Sequence, residues 1–89
     1  MPKLGLPSHT VYILRSIPHP TQIYVGYTRN LEARLLAHNS GQSTHTRKFQ
    51  PWIAETVICF SDKYTALAFE RYLKSHSGKA FASKRLLSP

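Results

Sequence analysis

Cysteine is nearly absent from this chain. Cys59 stands alone, so the sequence closes no internal disulfide and builds no zinc site on paired cysteines. Acids are almost as scarce: Glu32, Glu55, Asp62 and Glu70 are all that any carboxylate chemistry can draw on. No apolar run approaches the ~18 residues of a membrane span, and Met1–Pro7 lacks the long apolar stretch of a signal peptide. Internal repeats and low-complexity tracts are missing as well. These gaps exclude disulfide scaffolds and spanning helices, and point to a soluble, cytoplasmic protein.

What is present is a single small core and a strong positive charge. With 89 residues there is room for one domain, and 42 % hydrophobic with 11 % aromatic residues is too rich in core formers for disorder. Twelve Lys and Arg against four acids leave a net charge of +8. A small basic domain is drawn to polyanions, nucleic acid first and acidic proteins or membrane surfaces second.

Punctuation along the chain divides it into short elements. Pro2, Gly5 and Pro7 mark a loose arm over residues 1–9, ahead of a single domain over 10–87. Thr10-Val11-Tyr12-Ile13-Leu14 is a β-branched and aromatic run that predicts a strand, interrupted after Ile17 by Pro18 and Pro20. Gln22 to Tyr27 predicts a second strand, and the short gap favours an antiparallel hairpin. Asn30 caps a helix to about Asn39 with a Leu31/Leu35 stripe, stopped by Ser40-Gly41. A polar loop follows over 41–51, then a third strand from Trp52 to Phe60. Ser61 can cap a second helix from Asp62 to about Ser75, striped by Ala66, Phe69 and Leu73. Ser77-Gly78 reads as a break, and Lys79 to Leu87 as a short basic helix. The order β-β-α-β-α-α predicts an α+β fold, a small antiparallel sheet covered by helices.

Several ionisable residues lie beside apolar stripes. Arg34 and His38 are i, i+4 neighbours flanking Leu31 and Leu35, which suits a snorkelling arginine and a core-edge histidine as well as a site. Glu70 lies beside Ala66 and Leu73; an i, i+4 pair with Lys74 would satisfy it, and so would Arg34 or a metal ion. On a hairpin, Tyr12 and Tyr24 come near one another on one face, where aromatic cross-strand pairs are common. Gly26 removes a side chain near the strand end, leaving space for a phosphate or a backbone, or marking a bulge. Two phenols, an arginine, a histidine and a carboxylate form a workable set for phosphodiester hydrolysis: a base for water, a cation for the phosphate and a metal ligand.

On these residues the sequence resembles the GIY-YIG nuclease family. Thr10-Val11-Tyr12 matches the first signature triplet and Tyr24-Val25-Gly26 the second. Asn30 to Leu35 resembles the helix carrying the family's arginine, at Arg34, and His38 falls where many members place a histidine or tyrosine. Ala68 to Lys74 resembles the helix bearing the metal-binding glutamate, at Glu70. The likeness spans roughly residues 10–86. Thr10 replaces the glycine of the first triplet, and no asparagine follows Asn39 to match the late asparagine of many members; Ser83 lies in that region.

The resemblance implies a three-stranded antiparallel sheet flanked by helices, and hydrolysis of DNA at one divalent ion, Mg2+ or Mn2+. By that carry-over Glu70 holds the metal and Arg34 contacts the scissile phosphate, while Tyr24, with Tyr12 or His38, positions or deprotonates the attacking water. Arg47 and Lys48 of the 41–51 loop, and Lys79, Lys84 and Arg85 of the last helix, are candidates to touch DNA phosphates, including those of branched or flapped forms. Two other readings stand beside the nuclease: a module of the same fold that holds nucleic acid without cutting it, and a basic interaction domain whose Lys79–Arg85 helix docks on an acidic partner.

Overall fold

A computed structural model describes residues 6–89. Its elements run β1 (His9–Ser16), β2 (Ile23–Thr28), α1 (Leu31–Asn39), a one-turn 3-10 helix (Arg47–Phe49), β3 (Trp52–Phe60), α2 (Lys63–Leu73) and α3 (His76–Arg85). The three strands form one antiparallel sheet in the order β2-β1-β3. This is the expected α+β architecture and element order. Part of the expected N-terminal arm, residues 1–5, lies outside the described residues.

β1 is the centre of the sheet, which explains its unbroken apolar run. Val11, Tyr12, Ile13 and Leu14 are all buried, because a central strand covered on both faces has no solvent side to alternate with. Val11 and Ile13 pack with Ala66, Leu73 and Ala82 under α2 and α3. Tyr12 and Leu14 face the other way and pack with Trp52, with Leu31 and Leu35 of α1 against them. A bulge lies between the β1 and β3 pairs Ile13↔Thr56 and Leu14↔Ala54, leaving Glu55 as the extra residue.

Local capping decides where the helices begin, and twice it differs from expectation. Asn30 caps α1 as anticipated, its side chain accepting from the Ala33 N–H, and Gly41 follows the helix at φ 81°. α2 is capped by Asp62 rather than Ser61: its carboxylate accepts from the Thr65 N–H and hydroxyl. α2 ends at Leu73, and α3 starts at His76, capped by Ser75. Gly78 is therefore not a break but a buried residue inside α3. A Cβ there would sit 1.7 Å from the Tyr72 carbonyl oxygen, so glycine is what allows α3 to close against the end of α2.

Candidate active site

The α1 face of the sheet carries a compact set of polar aromatic groups. Tyr12 pairs across the hairpin with Gly26, and Leu14 pairs with Tyr24, so both tyrosines project to the same side. Their ring centroids are 6.4 Å apart, and the His38 ring lies 6.0 Å from Tyr12 and 4.9 Å from Tyr24. Tyr12 is fully enclosed, whereas Tyr24 is half-buried. Gly26, read as space for a phosphate or a backbone or as a bulge, makes room for a side chain, that of Tyr12: a Cβ there would meet the Tyr12 hydroxyl at 2.3 Å and its ring at 2.4 Å.

His38 is the one fully buried residue of α1, at 3 % exposure. Its Nε2 lies 3.1 Å from the Tyr12 hydroxyl, and its Nδ1 lies 2.8 Å from the hydroxyl of Thr46. Burial, reinforced by the nearby Arg34 guanidinium, holds the imidazole below its ordinary pKa of 6.5, so it is neutral at neutral pH. Arg34, one turn earlier, is exposed and stands beside the Tyr12 phenol. Burial and the neighbouring Tyr24 push the Tyr12 hydroxyl above the ordinary phenol range, while Arg34 pulls against them. The carboxylate of Glu70 is near enough to add a smaller upward push.

Glu70 is the most distant member of the set in kind as well as place. It sits in α2, across the sheet from α1, and its carboxylate is met by Lys74 Nζ at 2.7 Å. The i, i+4 pair that the sequence allowed is therefore formed. Lys74 is largely exposed, with 53 % of its side-chain surface open against 20 % for Glu70, so the lysine can leave without unpacking the helix. Among the described residues no three His, Cys, Asp or Glu side chains converge. Glu70 alone would give a metal one carboxylate, a donor that suits a hard cation retaining several waters.

The basic candidates are less concentrated. Arg47 and Lys48 form the exposed 3-10 turn immediately after Thr46, and the Lys48 ammonium stands 5.8 Å from the Phe49 ring centroid. Lys79 and Lys74 line a groove of about 510 Å³ that also includes Tyr24, Ile23 and Val25 of β2. Lys84 and Arg85 are exposed in the last turn of α3. No hydrogen bond among the described residues joins them to the aromatic cluster.

Three residues to which sequence reasoning gave no part in the site, Thr46, Trp52 and Asn39, hold it together. Thr46 is 1 % exposed, and its carbonyl accepts the indole N–H of Trp52 at 2.8 Å. Trp52 is in turn held by Asn39, whose amide accepts from the Trp52 N–H at 2.6 Å and donates to its carbonyl at 3.0 Å. A lone tryptophan needs a partner for its N–H, and that was the available signal. Nothing in the run Ser43-Thr44-His45-Thr46 marks the fourth residue over the second.

Comparison with known proteins bears on the family and the fold. The family model described as the GIY-YIG catalytic domain matches residues 8–85. A UPF0213 protein of Bacillus licheniformis is 38 % identical over 73 residues, covering 81 % of this chain and 73 % of that protein. The structure-specific endonuclease subunit SLX1 of Debaryomyces hansenii is 40 % identical over 74 residues, 72 % of this chain, which spans only 20 % of the yeast protein's length. The solution structure of the UPF0213 protein BH0048 of Bacillus halodurans superposes with a TM-score of 0.53 at 29 % identity, covering 88 % of this chain and 85 % of that one.

Proposed function

The chain belongs to the GIY-YIG family, and from that premise we propose that it is an endonuclease that hydrolyses DNA phosphodiester bonds by direct attack of water. The observation that carries the reading is the convergence on one hydroxyl. Tyr12 has His38 at hydrogen-bond distance, Tyr24 beside it, and both Arg34 and Glu70 near enough to bias its ionisation. The name of the yeast relative, a structure-specific endonuclease subunit, supports the reaction class.

In this reading Glu70 holds one divalent ion, Mg2+ or Mn2+, after Lys74 swings into solvent. Such an ion, held there, would supply charge neutralisation at the phosphate. Arg34 binds a non-bridging phosphate oxygen through its guanidinium, whose planar donors suit phosphate geometry. Tyr24 and Tyr12 bracket the attacking water and hold its proton path. Arg47, Lys48, Lys79, Lys84 and Arg85 contribute phosphate contacts along the duplex. The missing late asparagine leaves the leaving-group side with Ser83 as its nearest substitute in sequence.

The Glu70–Lys74 pair favours a second reading, a domain that binds DNA without cutting it. Wild-type scission separates the two, and Glu70→Gln then tests whether Glu70 is a metal ligand or only a surface partner of Lys74. Plasmid and flapped oligonucleotides are incubated with Mg2+ or Mn2+ against a chelator control. The nuclease reading expects wild-type scission that the chelator abolishes, and expects the variant to lose nearly all cutting while binding DNA as well or slightly better. A surface pair expects a stability loss of only a few tenths of a kcal/mol and no change in cutting. Metal-dependent cutting retained by the variant overturns the assignment of Glu70.

A further inference from the structure

The groove beside β2 plays no part in the chemistry assigned to the tyrosines and Arg34. It holds about 510 Å³ and runs along the free edge of the sheet, between β2 and the α2–α3 pair. Buried Ile13 and Leu73 form its floor, and half-buried Ile23, Val25 and Leu87 form its walls. Its charged lining residues are Lys74 and Lys79, both exposed, and no Asp or Glu among the described residues lines it. Exposed Thr21 and Gln22 add a hydroxyl and an amide.

The groove adjoins the candidate active site at two points. Lys74 Nζ is the group that meets the Glu70 carboxylate at 2.7 Å. Gly26 follows Val25 directly on β2, and the Tyr12 hydroxyl packs against it.

An apolar groove flanked by ammonium groups sets two demands on its occupant. Anionic groups must stand at the lysines, and an apolar surface must enter between them. Duplex DNA meets the first demand and fails the second, because its base faces are stacked inside a charged exterior. An unpaired nucleotide meets both: its phosphates stay at the rim, and its base enters at little unstacking cost. The volume falls within the range of sites that enclose a small molecule.

We propose that this groove takes the base of one unpaired DNA nucleotide beside the scissile phosphate, with Lys74 and Lys79 on the flanking phosphates. Ile23, Val25 and Leu87 cover the base faces, and Thr21 and Gln22 offer hydrogen bonds to its edge. Lys74 exchanges Glu70 for a phosphate. The place beside a scissile phosphate rests on the nuclease reading above, whereas the affinity is measured without cutting.

The probes are three labelled duplexes of one sequence: fully paired, with a single unpaired thymidine, and with an abasic nucleotide in its place. Affinity is read by fluorescence anisotropy with a chelator present. The unpaired thymidine should bind about tenfold tighter than either of the others, the scale of burying one base on apolar side chains. Ile23→Thr with Val25→Thr keeps the β-branched shape and makes the wall polar. That advantage should vanish in this double variant, while the paired duplex binds as before. Lys79→Gln should lower the slope of log affinity against log salt by about 0.9 for the unpaired probe. Should the double variant fold poorly, the Ile23 and Val25 methyl signals of the wild-type chain give a second readout. They should shift with the unpaired thymidine and not with the abasic probe. Equal affinity for thymidine and abasic probes overturns the proposal, as does an advantage kept by the double variant or an unchanged slope in Lys79→Gln. Methyl signals that respond instead to an extended peptide of alternating glutamate and valine also overturn it, and make the groove an edge for a protein strand. The expected advantage in a protein that cuts no DNA upholds the groove and sinks the nuclease reading; cutting without the advantage does the reverse.

Discussion

Val11 and Ile13 point to one side of the central strand, Tyr12 and Leu14 to the other, and the two cores they enter differ in chemistry. Beneath α2 and α3 the contacts are aliphatic and aromatic carbon, with Ala66, Leu73, Phe60 and Phe69 closing the layer. Beneath α1 the same depth of burial holds a phenol, an imidazole, an indole and a threonine joined by directed hydrogen bonds. Carbon contacts are nondirectional and tolerate small shifts, whereas a buried polar chain works only in one geometry and is costly when any member is unpaired. One face therefore gains stability from packing alone, and the other gives some of it up to hold polar groups in one fixed geometry.

Each face also contains one glycine whose missing Cβ permits a close approach, and these positions give the largest expected contrast. Gly78→Ala drives a methyl to 1.7 Å from the Tyr72 carbonyl, backbone against backbone, so α3 must lift from α2. A loss of about 3 kcal/mol is expected, at the upper end of overpacking costs. Cleavage per folded molecule should be unchanged. Gly26→Ala meets the ring of Tyr12 instead, which has to turn away from His38. Here the expected loss is about 10²-fold in cleavage rate, with a smaller fall in stability. Urea melts and single-turnover cleavage on both variants check the pair, and equal losses of activity would erase the distinction between the faces.

Tyr24→Phe makes a finer cut within the α1 face. Tyr24 is half-buried and its ring packs edge-on with Trp52 at 6.5 Å, so phenylalanine keeps the packing and removes only the hydroxyl. If the hydroxyl brackets the attacking water, cleavage falls about 10²-fold while the melting temperature barely moves. Full-speed cutting would make Tyr24 a core aromatic and pass its role to Tyr12 or His38.

Which parts of this were legible beforehand follows from the range of each interaction. Asn30, the leucine stripe and the β-branched runs are local signals, and they gave the first helix and all three strands to within a residue or two. The counting that put Tyr12 and Tyr24 on one face needed only hairpin alternation. Gly78 was misread because a Ser-Gly pair breaks helices far more often than it packs them; the carbonyl that Gly78 accommodates belongs to another helix. Asp62 and Ser61 are both good caps, and the choice between them rests on which one reaches the Thr65 N–H. The Glu55 bulge and the Thr46–Trp52–Asn39 clamp are long-range matches between loops and strands, invisible to any local pattern.

The smallest expected effect compares how the two faces respond to acid. On the α1 face, His38 is held below its ordinary pKa of 6.5 by burial and then by Arg34. A depressed folded-state value means the unfolded chain binds the proton more tightly, so this contribution is complete above 6.5 and fades as pH falls through the folded value. On the opposite side, Glu55 is held down to about 2 from 4.5, chiefly by Arg15, whose guanidinium grips both carboxylate oxygens, and further by the Ser88 N–H. That contribution is complete above 4.5 and lost as pH drops towards 2. Because Arg15 also donates to the Ser88 carbonyl, the pair ties the end of the chain to the sheet. It lies at the rim rather than in the core, where solvent screening keeps its contribution small. Stability should therefore decline in two separate steps on acidification. His38→Gln should remove the upper step, and Glu55→Gln should shrink the lower one to what the Asp62 cap, also held below its ordinary pKa by the Thr65 N–H, still contributes. Urea midpoints measured from pH 8 to pH 2 on the three proteins check this, and a single merged step would mean that the two faces do not titrate independently.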